Sequence, residues 1–311
     1  MRGDGRGLAV NELVAVSPEV ASALAEGAPV VALETTIVAH GFPPGDGVEV
    51  GRECERRVRA AGAVPATIAV LDGAVHVGLS EAELELLGPE ALKVGPRDLA
   101  ACAVQGALGA TTAGATLTVC RLAGIRFLAT GGIGGVHRGF PSPPDVSADL
   151  GELGRTEALV VSSGVKSLLD VPATAEALET LGVPVLGWRT DELPLFYAAR
   201  GGPPVSARVE SAEEAARIAD AHWRLRRGTS LLLARPPDDG LDDAEPLIEA
   251  ALARARAEGI SGQAVTPFVL GYLHKRSGGR TLEVNRRLVA DNAQLAAEVA
   301  QAYARLERKP K

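Results

Sequence analysis

Short apolar runs alternate along the chain with longer segments in which apolar positions recur every three or four residues. Mostly apolar runs of four to six residues at 30–33, 67–71, 126–130, 159–162, 183–188 and 230–234 predict buried strands. Charged segments with an apolar stripe at 48–61, 80–87, 172–182, 211–226, 244–258 and 282–308 predict helices. The segment 80–87 opens with Ser80 and carries Glu83 three residues later, a capping-box spacing. The segment 172–182 has Pro172 at its start and Gly182 at its end, which suits a helix from both sides. Strands alternating with helices predict an α/β fold: a three-layer α/β/α arrangement around a mixed, largely parallel central sheet. Residues 1–10, rich in Gly and Arg, predict a flexible lead, and residues 11–308 a single catalytic domain. The Pro- and Asp-rich segment 235–243 predicts a surface loop.

Composition narrows the function classes. The chain has 311 residues and a net charge of −7, which argues against a nucleic-acid or anionic-membrane surface. Aromatic residues are only 3%, so the core must be built from Ala, Val and Leu. The three cysteines, Cys54, Cys102 and Cys120, form no Cys-x-x-Cys pair, and the histidines form no His-x-x-x-His pair. That pattern excludes a disulfide framework and fits a reducing, cytoplasmic setting. No signal-peptide pattern opens the sequence. The uncharged stretch 99–120 is interrupted by four Thr, Gln105 and several Gly, so it is too polar for a membrane span and predicts a buried or site-lining segment.

In open α/β sheets ligands collect at the carboxyl ends of the strands, and the residues there carry the candidate chemistry. Glu34 ends the first strand, where burial favours the protonated form of a general acid; the alternative is an ion-pair partner. Gly131-Gly132-Ile133-Gly134-Gly135 follows another strand, with His137 and Arg138 as donors toward an anion or, alternatively, as parts of a tight turn. Asp145, Ser147 and Asp149 can hold a hard cation such as Mg2+ or Mn2+, or cap a helix. Lys166 follows the 159–162 strand among small residues, where a buried, neutral amine serves as a nucleophile. Lys93, read as following a short strand, sits before a helix start and can meet a phosphate. The run from Thr111 to Thr116 supplies hydroxyls without bulk, and Asn285, within a long helix, can read a base or carbonyl edge. No Gly-x-x-x-x-Gly-Lys-Ser/Thr loop is present, which removes a P-loop kinase from consideration.

The runs ALETTIVAHGFP, KVGPRDLA, GATTAGATL, LAGIRFLATGGIGGVHRG, DVSADLGEL, SSGVKSLLDVPATAEALETLGVPV and TPFVLGYLHKRSGGRTLEVNRRLVADNA occur in this order over nearly the whole chain. Together they resemble the pseudouridine-5′-phosphate glycosidase family, also called the indigoidine synthase A family. The resemblance implies a hydrolase-like lyase of nucleotide catabolism that reversibly cleaves pseudouridine 5′-phosphate to uracil and ribose 5-phosphate. It implies Lys166 as the amine that attacks C1′ and forms a Schiff base, and Glu34 as proton donor. It implies Asp145 as ligand of one Mn2+ per subunit, with other divalent ions compatible. Lys93, Ala113, Ser147, Ala148 and Asp149 are the implied substrate contacts, with Thr130 and His137 near the phosphate and Asn285 near the uracil. A homotrimer is expected. The runner-up is another Schiff-base sugar-phosphate lyase acting on a different base. The chain departs from the family pattern at Ser162-Ser163-Gly164, where relatives often carry Cys-Ala-Gly, and in the loop Pro43-Pro44-Gly45-Asp46-Gly47.

Overall fold

The computed structural model describes residues 13–141, 144–225, 228–241, 244–260 and 265–307. The expected lead at residues 1–10 therefore lies outside the described residues. Eleven strands are described: β1 (Val14–Val16), β2 (Val30–Leu33), β3 (Val64–Leu71), β4 (Ala74–Val77), β5 (Leu92–Val94), β6 (Gly109–Thr111), β7 (Phe127–Ala129), β8 (Leu159–Ser162), β9 (Val185–Trp188), β10 (Ala207–Val209) and β11 (Leu231–Ala234). The α-helices are α1 (Pro18–Ala25), α2 (Thr36–His40), α3 (Asp46–Ala60), α4 (Glu81–Glu85), α5 (Leu99–Val104), α6 (Ala113–Ala123), α7 (Ala148–Leu153), α8 (Val171–Thr180), α9 (Ala212–Arg224), α10 (Ala244–Ala257), α11 (Val265–Arg276) and α12 (Arg280–Glu307).

All eleven strands join one sheet, in the order β1-β4-β3-β2-β7-β8-β11-β9-β10, with β6 and β5 branching from β3. From β3 through β10 every pairing along this path is parallel. The antiparallel pairings are those of β3 with β4 and with β6. The expected mixed, largely parallel sheet is thus observed, with helices on both faces. Strands β2, β8 and β11 are buried at every position, which is why they read as continuous apolar runs. Helix α3 buries Gly47, Val50, Gly51, Cys54 and Val58, one stripe at helical spacing, and turns its Arg and Glu residues outward. Helix α12 lies across β2, β7 and β8 and packs beside α3 and α9. The capping box of Ser80 and Glu83 forms as expected. Helix α6 starts at Thr112, whose hydroxyl accepts from the Ala115 amide, and stops at Gly124 in the left-handed region. No helix among the described residues is long and apolar enough to cross a membrane, and the 99–120 stretch is α5, β6 and most of α6.

Strand β3 serves two partners in succession. Its first half, Val64 to Thr67, runs beside β2, and its second half pairs with β4 and β6. At the change-over the carbonyl of Ile68 accepts two hydroxyls, from Thr35 and Thr111, each at 2.7 Å. The Thr35 hydroxyl also accepts from the Thr111 amide at 2.8 Å, and Thr116 donates to the Thr111 hydroxyl at 3.0 Å. Thr35, Thr111 and Thr116 are fully buried, so this network fixes the ends of β2 and β6 against β3 where no ladder can. The structure corrects the position of Lys93, which lies within β5 instead of after a strand. Strands β1, β4, β6 and β10 and helices α1, α2, α6 and α11 have no counterpart among the sequence-predicted elements. Thr111→Val removes one of the two donors to the Ile68 carbonyl and the acceptor of Thr116. It should cost about 1–3 kcal/mol in urea denaturation with an unchanged m-value. An unshifted midpoint would show that the network carries no net stability.

Candidate active site

The parallel register sets the site. Leu33 pairs with Ala129 and Ala129 with Val161, so Glu34, Thr130 and Ser162 form the next row at one edge of the sheet. Glu34 is 4% exposed, and its two carboxyl oxygens accept from the hydroxyls of Thr36 and Thr130. Burial pushes its pKa above the ordinary 4.5, against the Lys166 charge and the two hydroxyls, which pull it down. Burial thus favours the protonated form of Glu34. These residues line a cavity of about 400 Å³ together with Lys93, His137, Asp145, Ser147, Ala148, Asp149, Lys166, Phe196 and Asn285.

Lys166 reaches this cavity from the loop after β8 and is partly buried. Its loop is laced to the glycine loop after β7: Ser163 donates its amide to the Gly131 carbonyl, Ile133 to that of Gly164, and Lys166 to that of Ile133. Gly164 has φ +83°, and a Cβ there would lie 2.0 Å from the Pro194 carbonyl oxygen, so the turn that delivers Lys166 requires glycine. The departure at Ser162 and Ser163 is absorbed locally. The Ser162 hydroxyl accepts from the Gly164 amide at 3.2 Å, and Ser163 meets Asn292.

Asp149 is buried, and both its oxygens are taken by backbone amides, one from Gly114 at the start of α6 and one from Gly134, each at 2.8 Å. It clamps the glycine loop to α6 beside the cavity. A Cβ on Gly134 would lie 2.2 Å from the Ser147 hydroxyl oxygen. Ser147 caps α7, so its helix-capping reading is realised, and Ala148 is exposed at the cavity wall. Ala113 is buried and is not among the lining residues; the preceding Thr112 lines the cavity instead. The Thr130 hydroxyl is committed to Glu34. Arg138 does not line the cavity. It pairs with Glu245 at 2.6 Å and donates to the Ser167 and Leu169 carbonyls, bracing the lysine loop.

The cationic groups share one field. Burial lowers the pKa of Lys93, as does the Lys166 charge, while Asp149 and Glu34 oppose the shift. Burial also lowers that of His137, which Asp145 opposes and the two lysines reinforce. His137 Nδ1 stands 3.5 Å from an Asp145 oxygen. Among the described residues no group of three His, Cys, Asp or Glu side chains converges as a metal cage. The side chain of Asp145, 40% exposed, suits an ion that keeps most of its water and takes one protein carboxylate, as Mg2+ and Mn2+ do.

Asn285 is buried on α12 and lines the cavity. Two turns further on the same helix face, Asn292 is fully buried, and its Nδ2 donates to the Thr130 carbonyl at 2.9 Å and to the Ser163 hydroxyl at 3.1 Å. Thr36 and Asn292 escaped the sequence reading. The signal for Asn292 was its seven-residue spacing from Asn285, which places both amides on one apolar stripe.

Fold and site define an α/β protein that sets a buried carboxyl group and a lysine amine around one cavity. The chain belongs to the indigoidine synthase A like family, whose model matches residues 19–302. It is 48% identical over 291 residues to the pseudouridine-5′-phosphate glycosidase of Herpetosiphon aurantiacus, covering 92% of this chain and 96% of that one. It is 49% identical over 297 residues to the protein of the same name from Deinococcus radiodurans, covering 94% and 95%. Among solved structures, the prealnumycin C-glycosynthase AlnA in complex with ribulose 5-phosphate superposes with a TM-score of 0.87 at 40% identity, covering 96% of this chain and 99% of AlnA. An indigoidine synthase A-like protein from Thermotoga maritima gives 0.85 at 37% identity, covering 95% and 97%.

The raised Glu34 pKa fixes the sign of a stability effect. The native state holds this proton to higher pH than the unfolded chain does, so stability falls as pH rises from about 4.5 toward the native value. Glu34→Gln, which cannot titrate, should be more stable than the wild type at pH 8, and the gap should close toward pH 4.5. Denaturant midpoints across that range check this, and a constant gap would reject it.

Proposed function

We propose that this chain is a pseudouridine-5′-phosphate glycosidase that reversibly cleaves the carbon–carbon glycosidic bond of pseudouridine 5′-phosphate, releasing uracil and ribose 5-phosphate. One observation carries this reading: Glu34 and Lys166 meet in one cavity, in a chain nearly half identical to proteins of that name. The C-glycosynthase AlnA, bound to a pentulose phosphate, supports the same bond class.

The chemistry follows from the groups present. A C-glycoside has no leaving heteroatom, so protonating oxygen or nitrogen does not release the base. The Lys166 amine attacks C1′, the C1′–O4′ bond breaks, and the proton lost by nitrogen passes to O4′. Glu34 then protonates C5 of the uracil. The nitrogen lone pair forms the C1′=N bond as the C1′–C5 bond breaks, and uracil leaves. Water hydrolyses the Schiff base, returning the free amine and open-chain ribose 5-phosphate. A carboxyl group that keeps its proton through burial is suited to this donation, and the hydroxyls of Thr36 and Thr130 hold it in place. Lys93 and His137 offer hydrogen-bond donors for the 5′-phosphate, with Ser147 and Ala148 beside them and the Asn285 amide for the uracil edge. Asp145 would hold an Mn2+ ion, which would supply fixed positive charge beside the substrate. Family membership also supports a homotrimer acting on small molecules in the cytoplasm, and light scattering of the purified protein reads the assembly.

Purified protein mixed with uracil, ribose 5-phosphate and Mn2+ should form pseudouridine 5′-phosphate, detected by chromatography and mass. EDTA and Lys166→Ala should each abolish it, and Glu34→Gln should lower the rate by about 10²–10⁴-fold. Borohydride should trap ribose 5-phosphate on Lys166. Full turnover by Lys166→Ala would refute the covalent route. A trapped adduct without product would point to a base other than uracil.

A further inference from the structure

Glu34 follows β2 and Lys166 lies in the loop after β8, whose backbone is laced to the loop after β7 but makes no such bond to Glu34. We propose that Asn292 is the positioning residue that sets the proton donor and the nucleophilic lysine in register, a role that rests on the functional reading above. Asn292 is fully buried on α12, the helix that crosses under β2, β7 and β8. A single amide nitrogen reaches both loops: it donates to the Thr130 carbonyl at 2.9 Å and to the Ser163 hydroxyl at 3.1 Å. The Gly131 carbonyl lies at the edge of the same fork, at 3.5 Å.

Each partner leads directly to one reacting group. Thr130 presents its hydroxyl to Glu34 while its carbonyl is held by Asn292. Ser163 precedes Gly164, whose obligatory left-handed turn delivers Lys166. Ser163 also accepts the Phe196 amide on its carbonyl, which brings a cavity-lining ring to the same anchor. The amide is a donor to both loops, which a packing residue of the same size cannot reproduce. In a dry site the freed Thr130 carbonyl would have no replacement donor, so the loop would move to find one. A displacement of that kind acts on the geometry of attack and proton transfer and leaves the phosphate-binding groups in place.

Two variants test this, read through product formation and through borohydride trapping of ribose 5-phosphate on Lys166. Asn292→Leu keeps the volume and removes the donor. It should lower kcat for synthesis and the trapping rate by about tenfold or more each, while KM for ribose 5-phosphate stays within about threefold. Ser163→Ala removes only the arm toward the lysine loop, and it should slow trapping by a smaller factor. An Asn292→Leu protein that melts earlier yet keeps both rates overturns the proposal, as does one that raises KM at unchanged kcat. If Asn292→Leu does not fold, Ser163→Ala decides alone, and an unchanged trapping rate overturns it. A wild-type protein giving neither product nor adduct refutes the functional reading, and this proposal with it.

Discussion

The Asp149 carboxylate holds the site together. One oxygen takes the amide of Gly114 at the head of α6, and the other takes the amide of Gly134 in the loop after β7. Removing it would leave two buried donors unpaired, at about 1–3 kcal/mol each. The arrangement also places negative charge at a helix start, where the backbone dipoles favour it. Everything on that side of the cavity takes its position from this clamp: the α7 cap at Ser147, the exposed Ala148, and the approach of the glycine loop to Ser147.

Opposite it stands a tension the fold does not relieve. Glu34 ends a strand buried at every position and has hydroxyls, not a cation, on both oxygens. The charge of the Lys166 amine, in the same cavity, pulls against the burial that opposes ionisation of Glu34. A carboxyl group whose ionisation burial opposes is costly for stability, and such compromises gather at functional sites.

Much of this was legible in sequence because parallel strands buried on both faces read as unbroken apolar runs. Strands β2, β8 and β11 were visible that way, as were Glu34 and Lys166, which follow such runs, while helices α3, α9 and α12 showed as apolar stripes at helical spacing. The three-residue strands β1, β5, β6 and β10 are too short to show a period, and β6 lies inside an Ala-, Gly- and Thr-rich stretch. Lys93 was consequently placed after a strand it lies within. Asp149 looked like a ligand because its real partners are backbone amides 15 and 35 residues away, which no spacing reveals. Asn292 bonds Thr130 and Ser163, which the sheet brings side by side, and Thr36 was missed because its hydroxyl turns back onto Glu34 two residues earlier.

The path of α12 has a consequence for how the protein is made. It is the last element described, yet it lies across the strands that carry Glu34, Thr130 and Lys166 and fastens two of their loops. During synthesis, which proceeds from the amino terminus, the sheet emerges first, its two loops untethered and the apolar face that α12 covers open to solvent. Lys166 is thus made well before Asn292, whose amide ties its loop to that of Thr130. That tie forms only once α12 docks.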